Sequence, residues 1–128
     1  MKPMTREWVR KAEGDFATLG RESRARKNPN YDAICFHAQQ CAEKYLKAVL
    51  CENGVKFRPI HDLVTLLELA LPLQPEWERF REDLAFLSGY AVSYRYPGEW
   101  AKRQSAMDAL DRCRSFRLAA RHVLGLSP

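Results

Sequence analysis

Phe36-His37-Ala38-Gln39-Gln40-Cys41-Ala42-Glu43-Lys44-Tyr45-Leu46-Lys47-Ala48 is the stretch on which the reading of this chain turns. Around it, Ile34, Ala38, Cys41, Tyr45, Ala48 and Val49 recur at helical spacing and define one apolar face. His37, Gln40, Lys44 and Lys47 form a polar stripe beside that face. The pattern predicts a helix from Tyr31 to Glu52, with Gly54 suited to its C-terminal cap. Phe36 lies off the apolar face, so this helix is expected to touch more than one neighbour.

Working outward, the same period recurs on both sides. Trp8, Ala12, Phe16 and Leu19 predict a first helix from Thr5, its expected cap, to Arg26, where Asn28-Pro29-Asn30 breaks it. After a loop at Lys56–Pro59, Leu63, Leu66, Leu67 and Ala70 mark a short helix from His61 or Asp62 to Leu71. Pro75 suits the first turn of a fourth, running to Ser93 with Trp77, Phe80, Leu84, Leu87 and Ala91 inward. Tyr94 to Gly98 is a loop, because Pro97 disfavours a helical Tyr96. Ala106, Ala109, Cys113, Phe116 and Ala120 carry a last helix from Ala101 to Leu124. The expectation is an all-α, up-and-down bundle of four to five helices without β-sheet, forming one domain over residues 1–128. Its core is expected to hold Trp8, Phe16, Ala38, Cys41, Leu66, Leu84, Leu87 and Phe116.

Composition narrows the functional classes. Cys35, Cys41, Cys51 and Cys113 contain no C-x-x-C pair, which argues against a zinc site or a disulfide framework. No apolar run approaches the roughly 20 residues of a membrane helix. Met1-Lys2-Pro3-Met4 leads into charges without a secretory-signal pattern, so a cytoplasmic location is expected. Residues 1–30 hold 8 Lys/Arg against 4 Asp/Glu, residues 31–100 hold 7 against 10, and residues 101–128 hold 6 against 2. Basic ends thus flank an acidic middle. That distribution suits a polyanion, an acidic partner or simple solubility.

Three segments resemble the HEPN family, the nucleotide-binding domains of higher eukaryotes and prokaryotes. Ala38 to Ala48 is similar to the family's A-Q-Q-x-A-E-K-x-L-K-A signature, His61-Asp62-Leu63 opens the third helix, and Arg95-Tyr96-Pro97 precedes the last. The resemblance implies a helical bundle, a homodimer and a minimal nucleotidyltransferase as partner, some such pairs acting as toxin and antitoxin. It also implies nucleotide or RNA as ligand. Many members are metal-independent endoribonucleases with an Arg-x(4–6)-His motif near the start of the last helix, the two motifs meeting across the dimer.

The candidate chemistry follows. Arg95 stands at the family's arginine position, but the expected histidine positions hold Trp100, Ala101 and Lys102. Cleavage would then need a substitute base, His61 or His37, and weak or absent cleavage is expected. Arg95 and His61 are therefore the catalytic candidates. Gln40, Glu43, Lys44, Lys47 and Tyr96 are the candidates for a nucleotide or partner groove. Arg117 and His122 also spell Arg-x4-His, but their spacing puts them on different helix faces, and Arg117 is expected to be solvated. Tyr94, Tyr96 and Trp100 could stack on a base, although anchoring of the loop is the favoured expectation. No metal and no cofactor are expected.

Overall fold

The computed structural model describes residues 1–91 and 96–128. These form helices α1 (Pro3–Ser23), α2 (Tyr31–Glu52), α3 (Leu63–Ala70), α4 (Arg81–Ser88) and α5 (Arg103–Val123), with a 3-10 segment at Pro75–Phe80. No strand occurs among the described residues. The chain is an all-α helical bundle, and none of its helices is long and apolar enough to cross a membrane.

α2 is the axis of the bundle and packs on α1, α3, α4 and α5. Its start is set by Asn30, whose Oδ1 accepts a hydrogen bond from Ala33 N at 3.0 Å. From Tyr45 to Leu50 every residue is buried, Lys47 included. A helix enclosed on all sides has no polar face to present to water. This explains why the polar stripe expected along α2 is only partly a surface.

Local chemistry accounts for the differences from the expected boundaries. α1 begins before Thr5 because Pro3 fits the first turn. Thr5 is therefore fully buried inside the helix rather than capping it. The expected fourth helix is split. Trp77 and Phe80, three residues apart, both face the core, and a 3-10 turn aligns residues at that spacing. Their rings meet Phe116 of α5 edge-on, with centroids 5.0 Å and 5.3 Å away. α4 then ends at Ser88, before Gly89, short of Ser93.

Of the expected core, Ala38, Cys41, Leu66, Leu84, Leu87 and Phe116 are buried. Trp8 and Phe16 are only half-buried. Cations cover them: Lys47 Nζ lies 5.4 Å from the Trp8 ring and the Arg117 guanidinium 4.2 Å from the Phe16 ring. All four cysteines are free, and burial pushes the Cys35 thiol up to about 12 and Cys41 well above its ordinary value. Such thiols pack as small apolar groups.

One further contact shapes the far end. The Asp32 carboxylate, at the start of α2, accepts a hydrogen bond from Ala101 N at 2.6 Å. This draws the turn before α5 against the α1–α2 connection.

Candidate functional site

Three polar clusters surround α2. The first is built on Glu43, only 3% exposed. Lys47 Nζ donates to its Oε2 at 2.9 Å and Gln39 Nε2 to its Oε1 at 3.0 Å. The same Gln39 amide reaches the His61 carbonyl at 3.1 Å. His61 Nδ1 faces both Glu43 oxygens at 3.1 Å. Burial pushes the Glu43 carboxyl up, but hydrogen bonds from Lys47, Gln39 and His61 and the lysine charge outweigh it, leaving Glu43 below the ordinary glutamate range. With a carboxylate against Nδ1, the proton sits on that nitrogen and Nε2 is the free one. The His61 side chain is 67% exposed.

Asp62 fastens the same turn from the other side. Ser88 Oγ donates to Asp62 Oδ1 at 3.0 Å and accepts from Leu63 N at 3.0 Å. Thr65 Oγ1 donates to Asp62 Oδ2 at 2.6 Å. The His61-Asp62 step is thereby held beside the C-terminal end of α4.

The second cluster centres on Asp15 of α1. Lys44 Nζ donates to its Oδ2 at 2.5 Å and His37 Nδ1 lies 2.7 Å from its Oδ1. Both partners remain partly exposed. The third ties three helices together. Arg117 clamps Glu13 with both arms, Nε at 2.8 Å and Nη2 at 2.7 Å. Tyr45 donates its hydroxyl hydrogen to Glu13, and Arg121 Nη1 donates to the Tyr45 oxygen at 2.9 Å. Burial raises the Glu13 carboxyl, yet the hydrogen bonds from Arg117 and Tyr45 lower it further, so it titrates below its usual range. Burial and the Glu13 hydrogen bond push the Tyr45 hydroxyl up.

The candidate residues therefore divide. Gln40 and Lys44 are half-buried along α2 and reach its surface, and Tyr96 is 67% exposed. Glu43 and Lys47 lie behind them as an internal ion pair. Arg95 lies outside the described residues, as does Tyr94. Two expectations are corrected. Arg117 is 13% exposed and committed to Glu13, not solvated, so it forms no unit with the exposed His122. Among the described residues, Tyr96 and Trp100 are the most exposed large hydrophobic side chains, at 67% and 74%, which does not suit the loop-anchoring expectation.

Sequence reasoning passed over Glu13, Asp15 and Gln39. Two acids beside the apolar stripe of α1 were the available signal, with Lys44, Arg117 and Arg121 as cations needing partners. No group of three His, Cys, Asp or Glu residues able to hold a metal occurs among the described residues. Recesses open at the surface among the described residues, two of which bear on the site. One, about 490 Å³, lies between the 3-10 segment and the end of α5, along Trp77, Phe80 and Leu118. The other, about 260 Å³, lies between the α1–α2 connection and Trp100.

The fold has a counterpart among known proteins. The HEPN domain family model matches residues 5–123, and the chain belongs to that family. Among solved structures, the crystal structure of an archaeal HEPN homologue superposes with a TM-score of 0.72 at 21% identity, covering 96% of this chain and 98% of that one. That likeness shows the fold. No curated protein matches the sequence.

Proposed function

We propose that this HEPN protein is a nucleotide- or RNA-associated binding module, acting as a homodimer with a minimal nucleotidyltransferase as partner, in the manner of a toxin–antitoxin pair. The residues assigned to ligand contact on this reading are Arg95, Tyr96, Gln40 and Lys44. Glu43 and Lys47 support the groove from behind as a fastener. The observation that carries binding over cleavage is the lack of a histidine at the positions where the family motif would have one, held here by Trp100, Ala101 and Lys102. The family resemblance supports the partner. Nucleotide titration of the purified protein tests the reading: binding that Arg95→Ala abolishes, without a change in melting temperature, is the expected result. An Arg95→Ala protein that binds as well as wild type contradicts it.

A second reading is favoured by one observation. Glu43 fixes His61 Nδ1 and leaves Nε2 toward solvent, the arrangement of an oriented general base. On this reading the protein is a metal-independent endoribonuclease with a degenerate motif. His61 takes the proton of a ribose 2′-hydroxyl, and Arg95 meets the charge that develops on the phosphorus oxygens. The 2′-oxygen then attacks the phosphorus, the bond to the 5′-oxygen breaks as that oxygen takes up a proton from water, and a 2′,3′-cyclic phosphate remains. RNA cleavage in chelator that is lost in both His61→Ala and Arg95→Ala is the outcome that would select this reading.

A further inference from the structure

At the end of the bundle where the Asp32 carboxylate holds Ala101 N, the α1–α2 connection and the start of α5 enclose a recess of about 260 Å³. Asn28, Asn30, Tyr31 and Asp32 line one side and Trp100 and Ala101 the other. Its volume falls below the roughly 300–1,000 Å³ of pockets for drug-sized ligands and suits a single planar ring system. One wall is the Trp100 indole, 74% exposed in a protein whose other tryptophans are buried or half-buried. An indole left in water at a pocket edge is a stacking platform without its stacked partner.

In the sequence bordering the recess, four cations stand against the acids Asp32 and the exposed Glu99. Lys27 adjoins Asn28 in the chain, with Arg26 before it, and Lys102 and Arg103 directly follow Ala101. All four are exposed, and none makes an ion pair with another described residue. The nearby acid Asp32 is engaged by Ala101 N, and Glu22 by Asn30 N. Lys102 and Arg103 also stand at the positive end of the α5 dipole, whose first turn holds no acid. That placement is unfavourable for cations unless a negative group lies among them. The basic tail of the first segment and the basic start of the last one thus adjoin, in sequence, the two walls of one aromatic recess.

We propose that this recess is a subsite for single-stranded RNA, one base stacking on Trp100 while the adjoining phosphates contact Lys27, Lys102 and Arg103. The Asn28 carboxamide, which makes no hydrogen bond to another described residue, faces the edge of the bound base. This subsite deepens the nucleic-acid arm of the proposed function. It lies apart from the Glu43–His61 cluster and needs no residue of that cluster.

Fluorescence anisotropy of a short labelled oligoadenylate with the full chain, in chelator, tests it. Trp100→Ala is expected to weaken binding roughly 5- to 100-fold, the loss typical of one base stack, with an unchanged thermal melt. Trp100→Phe keeps most of the affinity because the ring still stacks. Binding quenches intrinsic tryptophan fluorescence in the wild type but not in Trp100→Phe, since Trp77 is buried and Trp8 lies under Lys47. Replacing Lys102 and Arg103 together by alanine lowers the slope of log affinity against log salt by roughly 1.4, two single-strand phosphate contacts. RNA binding that Trp100→Ala leaves intact overturns the subsite while the wider binding reading stands, whereas a wild type that binds neither oligonucleotide nor mononucleotide overturns both. If adenosine monophosphate competes as well as the oligomer, the ligand is a mononucleotide and the strand proposal falls. If Trp100→Ala halves the mass in light scattering without touching RNA affinity, Trp100 is a contact between protein copies and the subsite is likewise overturned.

Discussion

The clusters around Glu43 and Glu13 use the same ingredients, a glutamate on one helix with cations and a polar partner from its neighbours, but they leave different things over. Around Glu13 every group is consumed: Arg117, Arg121 and Tyr45 close on the carboxylate, and α1, α2 and α5 are locked together. Around Glu43 the carboxylate is the more deeply buried of the two, 4% exposed against 33% for Glu13, yet its last partner is an imidazole that projects into solvent. The first arrangement is a fastener. The second fastens and also holds a titratable ring ready at the surface. Depressed carboxyl titration is found at both, so it does not distinguish a structural glutamate from one that orients a functional group. The exposure of the partner does.

The sharpest way to break this comparison is to remove each carboxylate's role in turn. Glu43→Ala leaves Lys47, itself 4% exposed, as an unpaired buried charge. A loss of about 3–5 kcal/mol is expected in denaturant unfolding. Glu43→Ala with Lys47→Met should recover much of that, because the stranded charge goes with its partner. Arg117→Ala is expected to cost less, about 1.5–3 kcal/mol, since Glu13 is partly exposed and Arg121 remains to serve it. A chain that tolerates Glu43→Ala better than Arg117→Ala would reverse the ranking of the two clusters.

Acid should sharpen the comparison further. Glu13 and Glu43 titrate below their ordinary value of 4.5 in the folded chain. The unfolded state therefore binds more protons in that range, and both groups contribute stability that is full above about pH 5 and is lost as pH falls through their depressed values. Melting temperature is expected to decline below pH 4.5, and Glu43→Gln should flatten that decline. The smallest effect is expected at Tyr96. Tyr96→Ala should change stability by less than about 0.5 kcal/mol, because the ring is largely in water, while reducing ligand binding if it belongs to the groove.

The sequence was most legible where structure is local. The boundaries of α2, Tyr31 to Glu52, followed from Asn30, Gly54 and an unbroken period, and the helical class followed from repetition of that period. The 3-10 segment was less so, because Trp77 and Phe80 fit an α-helical stripe as well as a three-residue repeat. Lys47 and Glu43 read as an accessible flank able to line a groove, since a pair four residues apart is normally a surface pair. Only the enclosure of α2 by four neighbours buries them. Glu13 and Arg117 stand 104 positions apart. Periodicity says which face a residue occupies but not which residue of another helix lies opposite, so no single sequence reveals that register. The rim of the Trp100 recess shows the same limit. Lys27 and Lys102 were visible as charge, but the approach of their segments includes a hydrogen bond between Asp32 and Ala101 that no periodicity foretells.

The central expectation is that this HEPN chain holds nucleic acid rather than cutting it. Purified wild-type protein, incubated in chelator with single-stranded RNA, should retain the RNA in a gel-shift assay and leave its length unchanged over hours, with Arg95→Ala releasing it. Efficient conversion to products ending in 2′,3′-cyclic phosphate, abolished by His61→Ala, would contradict the claim and make the exposed ring on Glu43 a catalytic base.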